Sequence, residues 1–319
     1  MLHRAIPLLF LPAALWCAPE WALIRTVDGA QLEGQIQIRS IRVNSTDVSV
    51  SQIRSVQSAA PASDIETARI KQGLAEIQAA DRPARDLAVE DLTAIGLPVM
   101  TPLLSTYKDT DQHEPRPLYR LFERIIPSYA DAFDRTLSLV RLSNGEAIRG
   151  KLPDGSLEIT AADGKKTALA WSRIRSLSVR QKTIQRSMQV HSLRHSTPID
   201  YLDTGVSITA TSKLNFTTRG FVRLSWDVDS WASDADGLKQ PGSPAYKSNL
   251  IDGHPFGALV GRVGSKGAVF FIGKSAAITQ KPAGRLSLAV NDNNHWQNNL
   301  GTFFVTMTAT DSYDLGDPQ

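Results

Sequence analysis

A single cysteine, Cys17, stands in 319 residues. That excludes an intramolecular disulfide framework and any cysteine-rich zinc site. Charge of one sign is equally scarce. With 35 Lys plus Arg against 32 Asp plus Glu the net charge is +3, and no run of basic residues gathers it into a patch. The clustered cations of a nucleic-acid interface are therefore missing. No apolar run reaches the roughly 20 residues that a membrane-spanning helix needs. The sequence also has no phosphate loop, no zinc spacing among His113, His191 and His195, and no convincing Ser-His-Asp set.

What is present begins with a leader. "MLHRAIPLLFLPAALWCAPEWA" has Arg4 and then thirteen apolar or weakly polar residues, Ala5 to Cys17, before Glu20. It reads as a secretory signal over residues 1–22, cut after Ala18 or Ala22, so the chain is expected to be exported to the periplasm or beyond. Cys17 lies inside it, and the bulky Trp16 before it disfavours a lipid anchor there.

An internal repeat follows. "LIRTVDGAQLEGQI" (residues 23–36) overlays "LVRLSNGEAIRGKL" (139–152), and "SQIRSV" (51–56) overlays "SRIRSL" (172–177). Alternating apolar residues around Asp28-Gly29 and Asn144-Gly145 predict hairpins. Residues 23–58 and 137–180 are thus two copies of one small β-unit, each too short to bury a core alone. Between them, residues 63–135 carry helical spacing. Ser63 to Glu66 form a capping box ahead of Ile65, Ile70, Leu74 and Ile77, a second helix ends at Gly96, and two more are expected through Leu103 and Leu121. "ARDLAVEDLTAIGLPVMTPLL" (84–104) resembles a HEAT-type helical pair.

Residues 181–187 read as a polar linker, residues 188–310 as short alternating strands of a β-sandwich, and residues 311–319 as a tail. Near the end, "LAVNDNNHWQNNLGTFFV" (288–305) joins two strands through nine residues holding five Asn, one Asp and one Gln. A hairpin needs two to five loop residues. Asx side chains can satisfy their own backbone, which is the plain reading. Calcium is the other, because it takes six to eight oxygen ligands. An EF-hand is excluded, since Trp296, Gln297 and Phe303 stand where that loop needs an oxygen ligand, Gly and Glu.

Over residues 188–310 the chain resembles the PA-IL type of calcium-dependent, galactose-binding bacterial lectin. The resemblance rests on Gly257 to Val260, Asn291-Asp292, Asn298-Asn299, Gly301 to Phe303 and the Trp-Ala-Ser segment at Trp231. It implies a jelly-roll-like sandwich. It implies calcium held by the side chains of Asp292, Asn298 and Asn299, with backbone oxygens from Asp234 and from His295 or Trp296. A sugar would then meet Asp292 and Asn298, with Trp296 and His254, in His254-Pro255, as further contacts. The loop is one residue shorter than the family's between Asp292 and Asn298. Asp227, Asp229, Asp234 and Asp236 would suit a second calcium ion, although a solvated turn is the plainer reading.

The fold expected is therefore mainly β and multidomain: two small β-units flanking a short HEAT-like helical segment, then a jelly-roll-like sandwich. The function expected is non-enzymatic, calcium-dependent binding of carbohydrate, without nucleic acid or a transmembrane span and with self-association favoured by multivalency. Two rivals stand beside it. One is a scaffold whose sandwich is only a spacer. The other is a homodimeric aspartic protease built on Asp203-Thr204-Gly205, with Leu259 to Val263 as the segment that follows in the retroviral type; such a dyad needs a second aspartate from another copy.

Overall fold

The structure is a computed structural model and describes residues 19–77, 82–109, 137–197, 200–225, 231–238, 251, 253–279, 282–292 and 298–315. The first repeat copy supplies β1 (Glu20–Thr26), β2 (Gln31–Ile36), β3 (Ser40–Val43), β4 (Thr46–Ser49) and β5 (Ile53–Gln57). The second supplies β6 (Ser138–Leu142), β7 (Ala147–Gly150), β8 (Ser156–Ala161), β9 (Lys166–Ala170) and β10 (Ile174–His191). Both hairpins turn through three residues that end on a left-handed glycine, Gly29 at φ +87° and Gly145 at φ +92°. A side chain there would be strained, which is why Gly sits at this turn position in each copy.

The copies are interlaced. The last strand of the second copy, β10, pairs with β1 of the first, and β5 of the first pairs with β6 of the second. One core results, with Ile24, Ile36, Ile53 and Val56 from one copy packed on Val140, Ile159, Ile174 and Leu177 from the other. Sharing the core answers the difficulty that each unit is too small to stabilise itself.

Among the described residues, three helices lie between the copies: α1 (Asp64–Glu76), α2 (Arg82–Ile95) and α3 (Met100–Asp109). The capping box is present, with the Glu66 amide donating to Ser63 Oγ at 3.2 Å and the Ser63 amide donating to Glu66 Oε2 at 3.0 Å. Helix α2 stops where Gly96 takes φ +74°. Ile70, Leu74, Ile77, Leu92, Ile95 and Leu103 form the local core. Ile65, expected on that face, is 54 % exposed, and Glu66 is buried in its place. The helix expected around Leu121 lies outside the described residues. Among the described residues, no helix is long and apolar enough to cross a membrane.

The rest of the chain forms β11 (Leu202–Ile208), β12 (Leu214–Arg223), β13 (Ala232–Ser233), β14 (Leu259–Val263), β15 (Val269–Phe271), β16 (Ser275–Ile278), β17 (Gly284–Val290) and β18 (Leu300–Asp314). One sheet runs β15-β14-β17-β11, and the other places β18 between β10 and β12, with β13 and β16 on the far side of β12. Val206, Leu286 and Leu288 from the first sheet face Phe216, Phe303 and Met307 from the second. The molecule is thus mainly antiparallel β, with a sandwich following the repeats.

Three boundaries differ from the sequence reading. Residues 181–187 are not a linker but the middle of β10, paired with β18 from Arg180↔Tyr313 to His191↔Thr302. The tail does not begin at Asp311, because Ser312, Tyr313 and Asp314 are buried strand. A cut after Ala22 would remove three residues of β1, where Ala22 is fully buried between Gly34 and Val179.

Candidate functional site

Strand β17 ends at Val290, and Asn291 and Asp292 follow, both fully buried. Asn291 is fastened on three sides. Its amide donates to Ala258 O at 2.8 Å, its carbonyl accepts from the Gly257 amide at 2.7 Å, and its Nδ2 donates to His254 O at 3.0 Å and Pro255 O at 3.1 Å. Asp292 is fixed by one hydroxyl: Thr197 Oγ1 accepts from the Asp292 amide and donates to the Asp292 carbonyl, both at 3.0 Å.

Asn299, 1 % exposed at the far end of the loop, closes the arrangement. Its Nδ2 donates to Asp292 Oδ2 in a short contact, to Ser192 O at 3.2 Å and to Ser196 Oγ at 3.4 Å. Its Oδ1 is buried and has no hydrogen-bond partner among the described residues; Asn291 Oδ1 is in the same condition. A buried acceptor left in that state costs on the order of 1–3 kcal/mol. Asn298 is partly buried and its Nδ2 donates to Ser225 Oγ at 3.3 Å. His295 and Trp296 lie outside the described residues.

The sequence reading missed the platform underneath. Where β10 ends, residues 192–197 turn beneath both ends of the loop. The Val290 amide donates to His195 O at 2.7 Å, the Thr197 amide to Val290 O at 2.9 Å, and the Ser192 amide to Gly301 O at 3.2 Å. Ser192, Ser196 and Thr197 are all buried. Buried hydroxyls need partners, so the hydroxyl-rich "HSLRHST" directly after a strand was the available signal. His191, at the rim, meets Thr302 Oγ1 through Nδ1 at 2.8 Å. Burial, and then the charge of Arg194, hold its pKa below the ordinary histidine value.

Asp234 lies in the turn after β13, and its carbonyl already accepts from the Gly237 amide at 3.0 Å and Ser233 Oγ at 2.8 Å. Both lone pairs are in use, so a cation there would have to displace the Ser233 hydroxyl. Lys274 Nζ lies 2.6 Å from Asp234 Oδ2 and 3.7 Å from Asp236 Oδ2, so one lysine offsets part of the charge of the two carboxylates. Asp227 and Asp229 lie outside the described residues. The His254 ring stacks against Phe271 of β15, with centroids 6.4 Å apart, and its link to the site is its backbone carbonyl. Trp231 packs edge-on against Phe256 at 6.1 Å, on the sandwich core.

Asp292 brings a carboxylate beside an amide oxygen that has no hydrogen-bond donor among the described residues, and hard oxygen ligands of this kind could hold a hard cation such as calcium. Among the described residues, no group of three or more His, Cys, Asp or Glu comes together as zinc or iron would require. Asp203 is 2 % exposed, and its carboxylate accepts from Arg285 Nε at 2.5 Å and from the Gly205 amide at 2.9 Å.

No family model matches the chain, and no curated protein matches it. Among solved structures the chain is similar to one described as "EclA N-terminal domain; PllA-like lectin", with 19 % identity over 40 % of this chain and 96 % of that one and a TM-score of 0.30.

Proposed function

We propose that the chain is a carbohydrate-binding protein of the lectin type, whose sandwich holds calcium between Asp292 and Asn299 and receives a sugar there. One observation carries this reading: Asn299 Oδ1 is buried, lacks a donor among the described residues, and sits on a side chain that also grips the Asp292 carboxylate. A polar turn would gain nothing by burying a carboxylate and a donorless amide oxygen together. Asp292, Asn298 and Asn299 would hold the ion, which when bound would offer a sugar's vicinal hydroxyls a coordination point. Asp292 and Asn298 would meet the same hydroxyls by charge-assisted and amide hydrogen bonds.

Galactosides are the first glycans to test. Export through the leader and self-association for avidity are parts of the same proposal. The deciding experiment is a calorimetric calcium titration of the full chain after chelator treatment. One saturable ion is expected, lost in Asp292→Ala and Asn299→Ala and weakened in Asn298→Ala, with the circular dichroism of all three unchanged. Wild-type protein that takes up no calcium, or Asp292→Ala protein that binds it as tightly as wild type, would sink the reading.

A further inference from the structure

Strand β18 lies between β10 and β12, with β16 beyond β12, and the side chains of this sheet that point away from the sandwich core line up in register. Ser187, Thr306, Thr217 and Ser275 form one row across the four strands. Gln185, Thr308, Asn215 and Ala277 form the row beside it. Every one of these side chains is exposed or half-buried, and none is charged. We propose that this face binds a neutral, extended polysaccharide, and does so without calcium.

Chemistry carries the first part of the argument. A soluble protein ordinarily carries Lys, Arg, Asp or Glu at about 25–35 % of its surface positions, yet the two rows hold none. Along the chain that enters and forms β12, the nearest charged residues are Lys213 before Asn215 and Arg219 after Thr217, so charge stops at the borders of the rows. Hydroxyl and amide groups both donate and accept hydrogen bonds, as a neutral sugar's hydroxyls do, and they give an acidic or basic ligand no counter-charge. The cores of protein interfaces are depleted in serine and enriched in aromatic residues and arginine. Rows of Ser, Thr, Asn and Gln therefore favour a glycan over a second copy of the chain.

Spacing carries the rest. Adjacent strands stand about 4.8 Å apart, close to the rise of one residue along an extended β-linked pyranose chain. A polysaccharide laid across the strands would meet one side chain of a row at each sugar. Phe304 stands in the next row, between Gln189 and Arg219, and Phe221 one row further, beside Thr302. They are 45 % and 65 % exposed. Such rings offer the flat apolar contact that the C–H face of a pyranose takes, as aromatic side chains do for other flat partners. The face shares no residue with the set proposed for calcium at Asp292, Asn298 and Asn299, so it stands or falls separately from that reading.

The test is affinity electrophoresis of the full chain in native gels that contain hydroxyethylcellulose, a β-linked galactan or polygalacturonate, all with EDTA present. At least one of the two neutral polymers should retard the protein, and acidic polygalacturonate should not. Phe304→Ala and Thr217→Glu should each weaken the apparent affinity about tenfold or more with unchanged thermal melts, while Asp292→Ala should be retarded as wild type is. If Thr217→Glu does not fold, Thr217→Val removes the hydroxyl alone and should also bind more weakly. Absence of retardation by both neutral polymers, wild-type retardation in the Phe304 or Thr217 variants, or stronger retardation by polygalacturonate overturns the proposal. Loss of binding in Asp292→Ala would give the sugar to the loop and overturn it as well. So would unretarded protein that forms a dimer in sedimentation velocity and loses it in Phe221→Ala, since the face would then be a contact between copies.

Discussion

Arg175 and Glu66, 109 residues apart, form a two-pronged ion pair, Nε to Oε1 at 2.8 Å and Nη2 to Oε2 at 2.6 Å, with each side chain 1 % exposed. The remaining donors of Arg175 reach Ala60 O at 2.7 Å and Pro61 O at 3.1 Å, so the guanidinium is fully engaged. The pair bolts the start of α1 to β10. Glu66→Ala is expected to cost about 3–5 kcal/mol, because it strands a buried cation. Equilibrium urea unfolding measures it, and a loss below about 1 kcal/mol would show that water reaches Arg175 in the folded state.

Gly34 and Gly150 occupy the same position in the two repeat copies, and each lies where the other copy crosses. A Cβ on Gly34 would stand 2.5 Å from Thr160 O, which is backbone; on Gly150 it would meet Asn44 Nδ2 at 2.5 Å and Val43 Cγ1 at 2.6 Å, which are side-chain atoms. Gly34→Ala should therefore destabilise by about 1–3 kcal/mol, and Gly150→Ala by less. Paired thermal melts would decide, and the reverse order would mean that β8 yields more readily than Asn44.

His191 gives the fold a pH dependence of defined sign. Its folded-state pKa is depressed, first by desolvation and then by Arg194, so the unfolded chain binds the proton more readily. Its stability contribution is fully present above the unfolded value of about 6.5 and is lost as pH falls below it. Thermal midpoints at pH 7.5 and 5.5 should differ more for wild type than for His191→Gln. Equal slopes would assign the acid sensitivity to other groups.

Asp203→Asn tests the protease alternative directly. The variant should lose the charge of the Arg285 pair, at about 1.5–3 kcal/mol of stability, and should change no proteolytic activity. A pepstatin-sensitive activity in wild type that vanished in this variant would instead make Asp203 a catalytic carboxylate.

The repeats, both hairpin glycines and the Ser63–Glu66 box were legible because each depends on local chemistry: a left-handed φ, a reciprocal side-chain bond, a period of two. Strand β10 was not. Ile184, Met188 and Val190 face inward, but the inward place between them belongs to Arg186, whose charge broke the alternation. That arginine is tolerated because Asp314 Oδ2 lies 2.6 Å away, 128 residues on. A partner so distant leaves no trace in the local pattern, and the same blindness hid the end of β18. At the loop, Asp292 and Asn299 were readable by residue type. Their support from Ser192, Ser196 and Thr197 left only the hydroxyl-rich run as a signal, since the contacts themselves cross about 100 residues of sequence.

Strand β10 has one further consequence. Its eighteen residues enter the core of the repeats at Ile174 and leave the core of the sandwich at Val190, a reach of at most roughly 54 Å at strand rise. Two bodies joined by a paired strand behave as a girder rather than a tether. A ligand held at Asp292, as proposed, would be presented at a fixed bearing to the repeats, because β10 is paired along both bodies.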